Sequence, residues 1–200
     1  FNENGSINLP NKIKNTLNVR KLGEDVKKGT LIFKAKHLLR PQDLGMLASL
    51  GIEKLKVIKK ITVGVLSNGN ELVEPGLKKE LYQIYDSNRY ILKALLSANN
   101  INCIDYKIVI DDFKKIKNKL LQMEKKCDLI LVSGGASSGE KDFIVQAVKK
   151  LGEIKFWKVN IKPGRPFGLG NINKYTPILI LPGNPVASFT IFSIFGTTVL

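Results

Sequence analysis

A regular alternation of apolar runs and helical patterns begins at Ile61 and limits this chain to a small set of folds. Between the runs, apolar residues recur at helical spacing, as at Phe113, Ile116 and Leu120. Apolar residues at that spacing share one face of a helix, whereas continuous apolar runs are typical of strands buried on both faces of a parallel sheet. The runs that we interpret as strands are ITVGVL, CIDYKIVI, DLILVS, KFWKVNI, FGLG and TPILIL.

Strands that alternate with helices predict an α/β domain of three α/β/α layers. Right-handed crossovers should place helices on both faces of a mostly parallel sheet. We expect helices over 88–98, from Phe113 to Met123 and from Phe143 to Leu151. The last three strand candidates follow one another closely, so that edge should be hairpin-like and the sheet mixed.

The first 60 residues differ in composition from the rest. They hold 13 basic and 5 acidic residues, and the charge density falls after Lys60. We therefore predict a partial linker or mixed α+β domain over 1–60 and an α/β domain over 61–200. Within 1–60, GEDVKKG and TLIFKA suggest turn-bounded strands, and RPQDLGMLASLGI suggests a short helix with Pro41 near its start and Gly51 past its end.

The side-chain inventory excludes several kinds of chemistry. One histidine and two cysteines cannot build a zinc site of several His and Cys ligands, and His37 alone would have to serve any histidine-based triad. Cys103 and Cys127 lack the C-x-x-C spacing, which favours reduced thiols in a cytoplasmic protein. The apolar stretch 186–200, which follows Pro-Gly-Asn-Pro, is shorter than the roughly 18 to 20 residues of a membrane span and predicts a buried helix, so we expect no membrane partner.

The formal net charge of +15 favours an anionic partner. Nucleic acid is disfavoured, because the lysines are spread over most predicted elements and no aromatic-interleaved basic stripe occurs. A small ligand that carries phosphate fits the charge better.

A glycine-rich loop, SGGASSGEKDF over 133–143, follows the strand DLILVS. Ligands of open α/β sheets bind beyond the carboxyl ends of the strands. Glycines there allow close backbone approach, and hydroxyls with the amino end of a helix offer donors to phosphate. The alternative is an ordinary glycine-rich turn with a capping side chain. The candidate ligand-binding residues of this loop are Ser133, Gly134, Gly135, Ser137 and Gly139.

Carboxylates follow the predicted strands in an otherwise basic chain. Glu71, Asp111 and Asp142 come after three different strands, so they should meet at one edge of the sheet. Carboxylate oxygens beside a phosphate site suit Mg²⁺. The alternative for Asp111 and Asp142 is helix capping.

Two further loops complete the candidate site. KVNIKPGRPFG places Lys158, Lys162 and Arg165 around two prolines and a glycine, and the prolines make the loop stiff. Cations on a stiff loop favour binding of a phosphate or oxyanion, and the alternative is a solvated basic face. LPGNPVAS reads either as a ligand loop or as a tight turn between strand and helix. Its candidate residues are Pro182, Gly183, Asn184 and Pro185.

The order of these motifs resembles the molybdopterin molybdenumtransferase family, which includes the E domain of gephyrin. The resemblance rests on SNGNELVEPG, IYDSNR, VIDDF, VSGGASSGEKDF, KVNIKPGRPFG and LPGNPVAS at matching spacing. The upstream segments LNVRKLGEDVKKG and LRPQDLGMLASLGIEKLKVIKK are also similar, so it covers nearly the whole chain. It implies a molybdopterin-binding type of α/β domain.

The resemblance implies the last step of molybdenum cofactor synthesis. Adenylylated molybdopterin would be cleaved with the help of Mg²⁺, molybdate would enter the dithiolene and AMP would leave. By analogy, Glu71, Asp111 and Asp142 would serve the metal, molybdate or hydrolysis. The residues implied to bind substrate are Ser133, Gly134, Gly135, Lys158, Lys162 and Arg165. A pyrophosphate bond is cleaved mainly by positioning and charge neutralisation, so the near absence of histidine is no obstacle.

The chain also departs from the family pattern. Asn70 stands where relatives carry aspartate, and the upstream D-G-Y-A and T-G-A-x-x-P segments and the small carboxy-terminal β-rich domain are absent. We therefore expect the middle part of a longer protein, a homodimer at full length, and poor activity of this chain alone. The alternatives are a molybdopterin adenylyltransferase and a non-catalytic molybdopterin-binding or scaffold protein.

Overall fold

The computed structural model of the protein describes residues 5–7, 12, 15–135, 142–196 and 198. The chain divides into two compact units, Phe1–Val57 and Ile58–Leu200.

The first unit contains one helix in its described part, α1 (Pro41–Ser49), which begins at proline as the sequence predicts. The Asp43 side chain accepts a hydrogen bond from the Arg40 backbone N–H at 2.9 Å and so satisfies a free amide at the helix start. The turn-bounded strands expected in GEDVKKG and TLIFKA are wrong, because the described residues 15–40 form turns and irregular backbone. Leu31 there is 72% exposed, and Ile32 and Phe33 are only partly buried.

The second unit alternates strands and helices along the sequence. Its strands are β1 (Thr62–Asn68), β2 (Leu72–Val73), β3 (Ile84–Tyr85), β4 (Asn102–Val109), β5 (Leu129–Gly134), β6 (Gly152–Trp157), β7 (Gly168–Ile172) and β8 (Thr176–Leu181). Its helices are α2 (Asn88–Ala98), α3 (Phe113–Glu124), α4 (Phe143–Leu151) and α5 (Pro185–Ile191), followed by a π-helical turn (Phe192–Gly196).

Six strands form one mixed sheet in the order β4-β1-β5-β8-β7-β6. Strands β4, β1, β5 and β8 are parallel, whereas β7 is antiparallel to β8 and β6 is antiparallel to β7. The expected mostly parallel sheet with a hairpin-like edge is therefore confirmed. Strand β6 consequently runs in the same direction as β8, and its carboxyl end lies at the same edge of the sheet.

Each face of the sheet has its own apolar core. Leu66 of β1 packs with α3 and α4 on one face, while Val63 and Val65 pack with α2 and α5 on the other. Alternate residues of a strand point to opposite faces, so the continuous apolar run of β1 supplies both cores. The domain is thus a three-layer α/β/α arrangement.

The structure corrects the predicted strand KFWKVNI. Strand β6 begins earlier, at Gly152, and ends at Trp157, because Lys158 has a left-handed backbone (φ 68°) that cannot continue a strand. The small parallel sheet of β2 and β3 was not predicted. Among the described helices, none is both long and apolar enough to cross a bilayer.

Candidate functional site

The carboxyl ends of five strands place the predicted loops at one edge of the sheet. The four parallel strands deliver the segments after Asn68, Val109, Gly134 and Leu181 to this edge, and β6 delivers Lys158 and the loop that follows it. We call this region the carboxyl edge. It is where ligands bind in open α/β sheets.

The start of the glycine loop is pressed against the end of β1. Gly134 and Gly135 both have positive φ, at 84° and 66°. A Cβ at Gly134 would lie 2.2 Å from the Asn68 carbonyl oxygen, and a Cβ at Gly135 would lie 2.2 Å from Asn68 Oδ1. Only glycine combines that backbone conformation with that contact. The predicted site residues Ser137 and Gly139 lie outside the described residues.

Asp142 caps α4 and also keeps one oxygen free. Its Oδ1 accepts a hydrogen bond from the Val145 backbone N–H at 3.0 Å, so the capping role is observed. Its Oδ2 is buried and has no hydrogen-bond partner in the described part of the chain. A helix cap needs one oxygen, so the second is available to a ligand or a cation.

The surroundings of Asp142 raise its pKa to about 6. Burial raises the pKa most, the backbone N–H groups of Val145 and Ile144 lower it, the charge of Asp111 raises it and the ammonium of Lys158 lowers it. Asp111 and Lys158 are therefore close enough to Asp142 for their charges to act on it. A carboxyl group that titrates near neutrality can hold or accept a proton at working pH.

Replacing Asp142 by asparagine should stabilise the fold at neutral pH. Because the pKa is higher in the folded state than in the unfolded state, the native protein binds the proton more tightly, and stability falls as pH rises from about 4 to above 6. Asparagine keeps a capping oxygen without the buried charge, so Asp142→Asn should gain about 2 kcal/mol at pH 8 and little at pH 4. Urea unfolding at both pH values measures this. A variant that loses stability at pH 8, or keeps the wild-type pH dependence, would contradict it.

Glu71 and Asp111 lie on exposed loops at the carboxyl edge. Asn70, the position where the family pattern has aspartate, uses Oδ1 to accept the Asp111 backbone N–H at 3.0 Å, which ties the loop after β1 to the loop after β4. In the described part of the chain no three His, Cys, Asp or Glu side chains form a group that could hold a metal. The assignment of Glu71, Asp111 and Asp142 to a metal therefore stays a prediction, and the ligand-free chain has no preassembled three-residue site among its described residues.

Two loops line an open pocket of about 780 Å³ at the carboxyl edge. One loop carries Lys162 and Arg165, whose side chains are exposed, and the other is the segment 182–184. Gly164, between the two cations, is buried with φ 119°, and a Cβ there would lie 2.5 Å from the Ile191 side chain. The loop backbone therefore packs against α5, while its two charged side chains are exposed and could bind an anion.

The Pro-Gly-Asn-Pro segment forms the tight turn between β8 and α5. Pro185 is the first residue of α5, and Asn184 caps the helix by accepting the Ala187 backbone N–H at 3.1 Å. A Cβ on Gly183 would lie 3.7 Å from the Gly134 Cα, so this turn contacts the start of the glycine loop. The tight turn that we named as the alternative to a ligand loop is thus observed, with Asn184 as its helix cap. Pro182, Gly183 and Asn184 also line the pocket.

Three polar residues near the edge were missed by sequence reasoning. Asn88, at the start of α2, uses Nδ2 to donate to Ser133 Oγ and to the Gly183 carbonyl, both at 2.7 Å. Asn68 uses Nδ2 to donate to the Val109 carbonyl, and its buried Oδ1 has no partner within the described residues. The only signal for Asn88 and its neighbour Arg89 was the polar run YDSNR between two apolar patterns.

Arg89 is the centre of a buried ion cluster. Its guanidinium is fully buried and pairs with Asp86 at 2.9 Å, with Asp105 at 2.7 Å and with Glu74. Although burial lowers its pKa, the hydrogen bonds to Asp105, Asp86 and Glu74 raise it above the ordinary arginine value. The cluster joins the first turn of α2, and therefore Asn88, to the residue after β2 and to β4.

Comparison with known proteins gives two family matches. Residues 64–200 match the family described as "Probable molybdopterin binding domain", and residues 2–51 match "MoeA N-terminal region (domain I and II)".

Individual relatives agree with these matches. The chain is 40% identical over 192 residues to molybdopterin molybdenumtransferase of Haemophilus influenzae, covering 96% of this chain and 47% of the relative. It is 30% identical over 206 residues to gephyrin of Dictyostelium discoideum, covering 88% of this chain and 28% of the relative. The crystal structure of the molybdopterin biosynthesis moeA protein of Pyrococcus horikoshii superposes with a TM-score of 0.78 at 32% identity, covering 88% of this chain and 44% of that one. The chain thus spans at most about half the length of these relatives.

Proposed function

Since this chain belongs to the molybdopterin-binding domain family over residues 64–200, we propose that it carries the substrate site of a molybdopterin molybdenumtransferase. The reaction is the cleavage of adenylylated molybdopterin with insertion of molybdate and release of AMP. It is the final step of molybdenum cofactor synthesis. The observation that carries the proposal is the buried Asp142 Oδ2, which lacks a partner among the described residues, in a carboxyl group on which the charges of Asp111 and Lys158 act.

The cations and the glycine loop would bind the anionic part of the substrate. Lys162 and Arg165 would neutralise phosphate charge, and Ser133, Gly134 and Gly135 would approach the phosphate through the hydroxyl and the backbone. Cleavage of a pyrophosphate bond depends mainly on such positioning and charge stabilisation. Pro182, Gly183 and Asn184 would form the opposite wall of the pocket.

The carboxylates would serve proton transfer and cation binding. The pKa of Asp142 is raised to about 6, so most of its carboxyl groups are ionised at pH 7. The carboxylate would accept a proton from an attacking water. Its free Oδ2 and the neighbouring charge of Asp111 also fit a Mg²⁺ ion, with Glu71 as a further ligand from the loop after β1. Bound Mg²⁺ would supply charge neutralisation for the phosphate oxygens.

The direct test is AMP release by the full-length natural protein. With adenylylated molybdopterin, molybdate and Mg²⁺, we expect AMP release that Asp142→Asn lowers at least tenfold. Asp112→Asn is the matched control, because Asp112 caps α3 by the same type of bond, to the Lys115 N–H at 2.8 Å. AMP release that Asp142→Asn leaves unchanged would overturn the assignment of Asp142. Formation of pyrophosphate from ATP and molybdopterin would instead indicate the adenylyltransferase, and binding without any turnover would indicate a carrier.

We also expect Mg²⁺ to bind at the carboxyl edge only together with phosphate. Two neighbouring carboxylates leave most of an octahedral shell to water and substrate oxygens. Calorimetric titration of Mg²⁺ should therefore give no measurable binding to the ligand-free protein and clear binding in the presence of AMP. Tight binding of Mg²⁺ without AMP, or equal AMP affinity with a chelator present, would contradict this expectation.

A further inference from the structure

We propose that Asn88 is a positioning residue that turns the hydroxyl hydrogen of Ser133 toward a bound phosphate. This inference rests on the proposed function for the identity of the ligand, and it adds a residue that sequence motifs did not assign. It follows from the direction of three hydrogen bonds at the carboxyl edge.

The orientation of the Asn88 amide is fixed by its contacts. The Gly183 carbonyl oxygen can only accept, so the Asn88 group at 2.7 Å from it must be the NH₂ group. The same NH₂ group lies 2.7 Å from Ser133 Oγ and donates its second hydrogen there. Asn88 is 7% exposed, so water does not compete freely for these bonds.

This arrangement leaves the Ser133 hydroxyl hydrogen available. A serine hydroxyl has one hydrogen to donate and two lone pairs that accept. Because Ser133 Oγ accepts from Asn88, its own hydrogen points away from Asn88, and in the described part of the chain it has no acceptor. Ser133 is 1% exposed and stands immediately before Gly134 and Gly135, at the carboxyl end of β5.

The neighbouring serine on β1 has the opposite arrangement. Ser67 is the register partner of Ser133, so both side chains point to the same face of the sheet. The Ser67 hydroxyl donates to Asp86 Oδ1 at 3.0 Å, and its hydrogen is therefore used inside the protein. Of these two paired serines, only Ser133 keeps a hydroxyl hydrogen without an acceptor among the described residues.

The Asn88 bonds also set the spacing between two loops. A single NH₂ group joins Ser133 at the end of β5 to Gly183 at the end of β8. The ends of β5 and β8 are thereby held together at the carboxyl edge.

A double-mutant cycle tests the proposal on the full-length natural protein, with AMP and inorganic phosphate as probes in calorimetry at low salt. Ser133→Ala should weaken both ligands about tenfold to a hundredfold, since it removes a hydrogen bond to a charged group. Asn88→Ala should also weaken both, and Asn88→Ala with Ser133→Ala should bind no more weakly than Ser133→Ala alone. Ser133→Thr, which keeps the hydroxyl, should restore binding. Ser67→Ala is the matched control and should leave both affinities within about twofold, because its hydroxyl faces Asp86.

The isosteric variant Asn88→Asp tests the same point if Asn88→Ala does not fold. A carboxylate would accept the Ser133 hydrogen and repel the Gly183 carbonyl, so both ligands should bind at least tenfold more weakly while the packing volume is kept. Wild-type affinity of Asn88→Asp, losses that multiply in the double variant, or losses confined to AMP would each overturn the proposal. The test measures ligand affinity and needs no turnover. Its result on Asn88 and Ser133 could therefore be interpreted even if the AMP-release assay failed.

Discussion

Replacing Lys162 and Arg165 together by glutamine is expected to weaken the binding of AMP by about 3 kcal/mol or more, roughly a hundredfold. Both side chains are exposed and line the pocket between the basic loop and the Pro-Gly-Asn-Pro turn. Hydrogen bonds to charged groups contribute about 1.5 to 3 kcal/mol each. The effect should be large because Gly164 seats the loop backbone against Ile191, so little ordering is needed when the anion binds.

The control for this pair is Lys149→Gln with Lys150→Gln. These exposed lysines lie in the last turn of α4, at the end of the helix far from the carboxyl edge. Their replacement removes two positive charges, as the replacement of Lys162 and Arg165 does. Calorimetry at low salt should show near wild-type AMP affinity for the control. Equal losses in the two double variants would mean that the net charge of +15, and no defined anion site, governs binding.

Replacing Arg89 by methionine is expected to destabilise the fold by about 3 to 5 kcal/mol. Asp86 is 1% exposed and would be left as a buried carboxylate without its cation, and Glu74 and Asp105 would lose a partner as well. The variant should also weaken AMP binding, because Asn88 precedes Arg89 in the first turn of α2. Urea unfolding measures the first effect and calorimetry the second.

Lys93→Met provides the comparison. Among the described residues Lys93 forms an ion pair with one carboxylate, that of Asp105, and its side chain is 36% exposed. A partly exposed pair of this kind contributes about 1 kcal/mol or less. Adding Asp86→Asn to Arg89→Met should recover part of the stability, because it removes the unpaired buried charge. An Arg89→Met protein as stable as Lys93→Met would show that the cluster contributes little to the fold.

The sheet and its loops could be predicted because their signals are local. The apolar run of β5 and the helical spacing of α3 are short-range patterns, and a loop after a parallel strand reaches the carboxyl edge whatever the rest of the chain does. Asp142 was expected either as a helix cap or as a ligand. In the structure its Oδ1 caps α4, and its Oδ2 has no partner among the described residues and is available to a ligand.

The contacts of Asn88 and Arg89 could not be predicted, because their partners are distant in sequence. Asn88 meets Ser133 and Gly183, which lie 45 and 95 positions away, and the choice of partner depends on the sheet order. The early end of β6 likewise depends on the left-handed backbone of Lys158, which no residue preference indicates. For non-glycine residues such conformations are set by tertiary contacts.

We expect the carboxyl edge, between the glycine loop and the basic loop, to hold the phosphate of an adenylylated substrate. A crystal structure of the natural protein with AMP and Mg²⁺ tests it most directly. We expect the phosphate within hydrogen-bonding distance of Ser133 Oγ and of Lys162 or Arg165, with Mg²⁺ between the phosphate and Asp142. A phosphate bound away from this edge, or bound here without contact to Ser133 and to either cation, would contradict it.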